Sequence, residues 1–162
     1  MSAFERGGRH DLPLRVSAKA DYALRAAAEL AAAESGVLVK GERIAAAQGI
    51  PLKFLLNILT DLRHARLVRS HRGSEGGFQL ALPSNEISMA DVIEAVEGSL
   101  STVQDVQPED VAYLGPAEGL RDVWMAVAST LRSVLGAVTL ADLAAGDLPP
   151  SVRLLLEDPL PA

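Results

Sequence analysis

Apolar residues fall at helical spacing through most of the chain and alternate over two short runs near its middle. Behind Ser17, a residue type that favours helix N-caps, Tyr22, Ala23, Ala26, Ala27 and Leu30 mark the buried stripe of a helix reaching about Glu34. Asp21, Arg25 and Glu29 step along its outer face at i, i+4 and predict an ion-pair ladder. Ser35 and Gly36 end it, and Val37 to Val39 form a short β-like run. Residues 1–13 carry no period and close on a proline, which predicts a flexible arm with Arg6 and Arg9 as candidate phosphate contacts.

The stretch "KGERIAAAQGIPLKFLLNILTDLRHARL" predicts a short helix over about 40–48 and a second starting at Pro51. Gly49 suits the left-handed position after the first helix, and Pro51 suits the first turn of the next. Two helices joined by about three residues have helix-turn-helix spacing. On the second, Leu52, Leu55, Leu59 and Leu62 face inward, joined by Phe54, Leu56 and Ile58 on a wide stripe. Lys53, Asn57, Asp61 and His64 keep one face polar. A helix buried all round has no use for such a face. A recognition helix does, with Lys53 and Asn57 near the N-terminal end where base edges are reached.

Val68 to His71 and Phe78 to Leu82 predict two strands around "RGSEGG". Taken alone, this is either an ordinary turn closing a small sheet or a wing whose basic tip meets a nucleic-acid backbone. Three helices followed by a hairpin is the winged order, which favours the wing. Arg69, His71 and Arg72 approach the tip, and Gly73, Gly76 and Gly77 permit the turn; Glu75 opposes phosphate there.

Ser88 and Asp91 form a capping-box pair for a helix to Glu97, with Val92, Ile93 and Val96 inward and Gly98 at its end. Residues 99–116 are irregular and acidic. Over about 117–137, Leu120, Trp124, Val127, Leu131, Val134 and Val138 follow a heptad seam, which predicts a dimerisation helix; packing within the same chain is the alternative. Thr139 and Asp142 repeat the capping pair before a short last helix, "TLADLAAG". The remaining tail is proline-rich, with a turn at "SVRLLLE". The expected organisation is an arm (1–13), a winged helix-turn-helix domain (14–98), a linker loop (99–116), a dimerisation helix with a short cap helix (117–146) and a loose tail (147–162). The fold class is mainly α with one small β-hairpin.

Charge changes this picture where it is uneven. The net charge of −6 argues against a polyanionic partner until the chain is divided. Residues 1–82 hold 12 Lys and Arg against 8 Asp and Glu, whereas residues 83–162 hold 3 against 13. Local field decides where a polyanion docks, and the helix pair and hairpin lie in the basic half. The absence of cysteine excludes disulfides, thiolate catalysis and cysteine-ligated metal. With no leader pattern and no apolar run near 18 residues, the expectation is a cytoplasmic protein away from the membrane. His10, His64 and His71 have no metal or catalytic spacing, no phosphate-binding glycine loop follows a strand, and no Ser/His/Asp set can be assembled. An enzyme is not expected.

The segments "LRVSAKADYALRAAAELA", "ERIAAAQGIPLKFLLNILTDLRHARLVRSHRGSEGGFQLA", "ISMADVIEAVEG" and "VTLADLA" together resemble the bacterial winged-helix repressors of the Rrf-two type over about residues 14–146. That family includes the iron–sulfur cluster regulator, the nitric-oxide-sensing repressor and the cysteine-metabolism repressor. The resemblance implies a homodimer on the long helix and a two-fold symmetric DNA operator. Many members carry three cysteines between the fourth helix and the long helix, and this chain has none there. Asp21 matches a carboxylate ligand of the nitric-oxide-sensing type; without thiolates it is read as the ion-pair partner of Arg25. Leu56 stands where the family usually has a polar residue, often glutamate, and Lys53 where serine is common.

The candidate DNA-contacting set is Lys19, Pro51, Lys53, Phe54, Asn57, Arg69, His71, Arg72 and Ser74, with no metal and no cofactor expected. Two function classes remain. One is a DNA-binding transcription repressor. The other is a winged-helix dimer serving as a protein-interaction module, favoured by Leu56 and Glu75. The sequence does not name a signal; a small molecule near the 99–116 loop, a partner protein and no signal at all are open.

Overall fold

The computed structural model describes residues 16–99 and 107–157. The arm at 1–13 with Arg6 and Arg9, residues 100–106 of the linker and 158–162 of the tail lie outside the described residues.

Ser17 caps α1 (Ala18–Ala32), its side chain accepting from the Ala20 N–H. Small residues line the inner face, so Ala23, Ala26 and Ala27 let neighbouring helices approach closely. α2 (Gly41–Gln48) ends at Gly49, whose φ of 61° is the left-handed conformation that glycine adopts without a Cβ penalty. Pro51 precedes α3 (Leu52–His64) and caps it rather than opening it. β1 (Val68–His71) and β2 (Gly77–Leu80) pair antiparallel with Arg69 opposite Gln79 and His71 opposite Gly77. Val39 bridges Phe78 on the far side of β2, with N–H···O distances of 2.9 and 2.8 Å, so β1 is the free edge.

α4 (Met89–Glu97) and α6 (Leu140–Ala145) both start with complete capping boxes, Ser88–Asp91 and Thr139–Asp142. Between them runs α5 (Leu120–Ala137), and α7 (Pro150–Glu157) packs on α5. The tail therefore forms a helix where only a turn was expected; Pro150 sits at its first position, where the missing N–H costs nothing.

One apolar core joins the winged elements. Ile44, Leu55, Ile58, Leu59, Leu62, Ile87 and Leu140 are essentially inaccessible. Leu140 brings α6 onto α1, so the short helix grouped with the dimerisation helix shares the core of the winged unit. Val138, assigned to the seam, leaves the helix at its C-cap (φ −95°, ψ 118°) and is 3% exposed within its own chain. It is buried within its own chain, past the last residue of α5.

Candidate nucleic-acid interface

α3 presents its two flanks to different neighbours and its middle to solvent. On one flank Phe54 meets Tyr22 of α1 edge-on, ring centroids 5.8 Å apart, and Arg25 lies over the same tyrosine ring at 5.4 Å. Asp61 pairs with Lys19 at 2.8 Å, and Lys19 also donates to the Val96 carbonyl of α4 at 2.8 Å. Lys19 therefore ties α1 to α3 and α4. Its ammonium is engaged by those partners while its side chain stays over one-third exposed.

On the other flank, Leu52 and Leu56 approach Gly41, where the start of α2, α3 and Phe78 of the hairpin converge. A Cβ at Gly41 would stand 3.3 Å from Leu56 Cδ2 and 3.5 Å from Phe78 Cε2. Leu52, Phe54 and Leu56, expected inward, are each about two-fifths exposed because each covers a seam between elements rather than the core. Leu56 thus lies where α3 meets the start of α2.

Between the flanks Lys53, Asn57 and His64 are exposed. Among the described residues none of the three makes a side-chain hydrogen bond or an ion pair. Thr60 on the same face returns its hydroxyl to the Leu56 carbonyl at 2.9 Å. The face retains donors and acceptors that the fold does not use.

The hairpin is held at its base and free at its tip. A Cβ at Gly77 would come within 2.8 Å of the Val39 carbonyl, so the bridge to Val39 requires glycine there. A Cβ at Gly76 would lie 2.2 Å from the His71 carbonyl, so the return of the turn requires glycine too. Arg69, His71, Arg72, Ser74 and Glu75 are exposed, and His71 Nε2 lies 3.3 Å from Gln79 Nε2 across the strands. Pro51 is exposed at the entrance to α3.

Arg25 bonds Asp21 at 3.1 Å and Gln48 through both its side chain and carbonyl, while Glu29 bonds Gln48 instead of extending the ladder. Asp21 is thus an ion-pair partner. Among the described residues there is no group of three His, Cys, Asp or Glu able to hold a metal ion, and no helix long and apolar enough to cross a membrane.

The sequence reading passed over Arg63 and Arg66, which the fold places beside Arg69 and His71 around one open cavity of about 610 Å³. The available signal was an arginine at every third position from 63 to 72, a period belonging to neither helix nor strand.

α5 has no buried residue along its 18-residue length. Leu120, Trp124 and Val127 of the seam are exposed, as are Val123 and Met125 beside it; Leu131 and Val134 are half-buried. Arg132 pairs with Glu94 of α4 at 2.8 Å.

Comparison with known proteins agrees with this architecture. Residues 16–146 match the family model of Rrf2, described as an iron-dependent transcriptional regulator. An HTH-type transcriptional regulator of Mycobacterium tuberculosis is 54% identical over 145 residues, covering 90% of each chain. The HTH-type transcriptional regulator CymR of Bacillus subtilis is 30% identical over 131 residues, covering 81% of this chain and 90% of the relative. The solved structure of CymR, the global cysteine regulator of B. subtilis, superposes with a TM-score of 0.69 over 82% of this chain and 98% of its own. That of T. potens IscR, 32% identical, gives 0.67 over 83% and 88%. These relatives are HTH-type regulators of transcription and not enzymes. By its sequence and its winged-helix fold, the chain belongs to the Rrf2 family of transcriptional regulators.

Proposed function

We propose that the protein is a homodimeric transcription repressor that reads a two-fold symmetric operator through α3 and the wing. The observation that carries this reading is the solvent face of α3, where Lys53, Asn57 and His64 stand without partners among the described residues. A helix that only supported a fold would use or discard such groups; one that enters a major groove needs them unpaired. Dimerisation is supported by α5, whose exposed Leu120, Trp124 and Val127 would be an aggregation liability in a monomer. Two copies packed on this helix make an isologous contact and present two reading heads. In this division the winged unit reads DNA and α5 joins the protomers.

The family's description is iron-dependent, and the residues of this chain do not fit an iron–sulfur cluster. Such clusters are held by thiolates, and the whole sequence has no cysteine. Regulation through a cysteine-bound cluster therefore has no chemical basis here.

The reading as a protein-interaction module rested on Leu56 and Glu75. Leu56 lies beside Gly41 at the start of α2, a neighbour within its own chain that lowers its weight. The test is a gel shift of the DNA upstream of the protein's own gene across a salt series, after retention on heparin. Salt-sensitive binding with a preferred sequence supports the repressor. Absence of any shift at low salt leaves the interaction module.

A further inference from the structure

α3 closes in a Schellman turn. The Leu67 N–H reaches the Leu62 carbonyl at 2.9 Å and the Arg66 N–H reaches the Arg63 carbonyl at 3.0 Å. That geometry puts residue 66 in the left-handed region at φ 62°, a place where glycine is the usual residue. Elsewhere among the described residues every positive-φ position is a glycine, including Gly49 and Gly146 behind α2 and α6. Arg66 alone carries a side chain there, against the backbone preference.

The side chain it carries joins a cluster. Arg63, Arg66, Arg69 and His71 surround the open cavity of about 610 Å³ between the end of α3 and the free edge of β1. Arg63 bonds Ser70 Oγ at 3.3 Å. Among the described residues, none of the three arginines forms an ion pair, although Lys19, Arg25, Arg132 and Arg153 each do. Three neighbouring guanidiniums without a carboxylate repel one another and favour an anion between them. Their planar forks match phosphate oxygens, and β1 continues directly to Arg72 at the wing tip.

We propose that this arginine cavity is a second DNA-backbone site, clamping phosphates next to the stretch that α3 and the wing tip address. The site rests on the DNA-binding reading above and extends it. It adds affinity without base preference, because phosphates carry no sequence. Arg66 is the residue that completes it, which accounts for a side chain at a glycine position.

Arg66→Gly tests the site in the full chain without risk to the fold, since glycine suits φ 62° better than arginine. The probes are a duplex of the upstream region, a random duplex of equal length, and inorganic phosphate against chloride at matched ionic strength. The expected result has three parts. Affinity for both duplexes falls by the same factor. The log K against log salt slope flattens by about 0.9 for one lost phosphate contact. The melting temperature holds or rises. An unchanged slope, while Arg72→Ala flattens it, overturns the site and leaves the DNA-binding reading standing. No salt-dependent binding by the unaltered protein overturns both. A phosphate-specific rise in melting temperature that Arg66→Gly abolishes, with an unchanged DNA slope, makes the cavity a receptor for a free anion and overturns the backbone assignment. Aggregation of Arg66→Gly with an unchanged slope makes the arginines guards of the β1 edge and overturns it as well.

Discussion

Ser88 and Thr139 face each other in an isolated antiparallel bridge, and each caps its own helix with an aspartate three residues on. The Met89 N–H reaches the Val138 carbonyl at 2.9 Å and the Leu140 N–H reaches the Ile87 carbonyl at 2.8 Å. The segment that follows α5 is therefore pinned to the segment that precedes α4. Ile87, Val138 and Leu140 bury their side chains beside this junction. A contact that moves α5 would be felt at α4 and α6 together, and both pack on α1.

The junction has a pH signature. The Asp142 carboxylate accepts from the Thr139 backbone N–H at 2.9 Å and from its hydroxyl at 2.7 Å, which holds its pKa below the ordinary value of 3.8. A folded pKa below the unfolded one stabilises the fold above the unfolded value, and the contribution is lost as pH falls through the folded value. Thr139→Ala removes the hydroxyl donor and leaves the backbone donor, so the Asp142 pKa moves part of the way back up. Carboxyl NMR titration measures it. An Asp142 that titrates identically in both proteins would show that the hydroxyl does not hold the carboxylate.

Lys53→Ala and Arg72→Ala separate reading from holding. Lys53 is exposed on the first turn of α3, and Arg72 is exposed at the wing. Both variants weaken binding of the upstream DNA without changing the melting temperature. Loss of a base contact at Lys53 shrinks the preference over a random duplex by about 1–3 kcal/mol. Loss of a phosphate contact at Arg72 weakens both duplexes alike and flattens the salt slope by about 0.9. Competition binding with the two duplexes decides; equal effects of both variants on both duplexes would remove Lys53 from base reading.

The local signals in the sequence were legible and the long-range ones were not. Ser17, Gly49, Ser88 with Asp91 and Thr139 with Asp142 announce helix ends because a cap acts on residues within one turn of itself. The order of helices, turn and hairpin followed from these. The pairing of Lys19 was not legible, because its partners Asp61 and Val96 are 42 and 77 residues away and charge alone does not reveal them. The burial of Val138 was not legible, because a heptad count continues past the point where the helix ends. On α3, periodicity marked Leu52 and Leu56 as core, but a helix wedged between α1 and the wing has half-covered edges. Arg66 gave no warning, since nothing in the residue type indicates a positive φ.

Lys19→Met separates a structural role of that residue from a DNA contact. Methionine keeps most of the apolar stem and removes the ammonium that joins Asp61 and the Val96 carbonyl. The pair is over one-third exposed on both sides, so screening leaves it little, and the hydrogen bond to the carbonyl adds its own share. Together they are worth about 1 kcal/mol, read as a lower urea midpoint at an unchanged slope. DNA affinity corrected for folding stays the same. A salt slope flattened by about 0.9 in this variant would make Lys19 a phosphate contact as well.

The dimer contact is best tested at Val127. Leu131 is half-buried within its own chain, so a charge there would disturb the protomer as well as the contact. Val127 is 44% exposed on the same seam, beside Trp124 at 39%, and a carboxylate there can hydrate freely in an isolated protomer. In the dimer it would be buried opposite an apolar partner, at a cost of several kcal/mol. A penalty of about 3 kcal/mol raises the dimer dissociation constant on the order of 100-fold. Val127→Asp is therefore expected to scatter light as a monomer at micromolar concentration while keeping the helical circular dichroism of the parent. Operator affinity falls with it, because one reading head addresses one half-site while the dimer addresses two about 34–36 Å apart or a multiple of that. A parent protein that is already monomeric would refute the seam as a contact between copies. A Val127→Asp dimer with undiminished operator binding would place the contact between protomers on a surface other than α5.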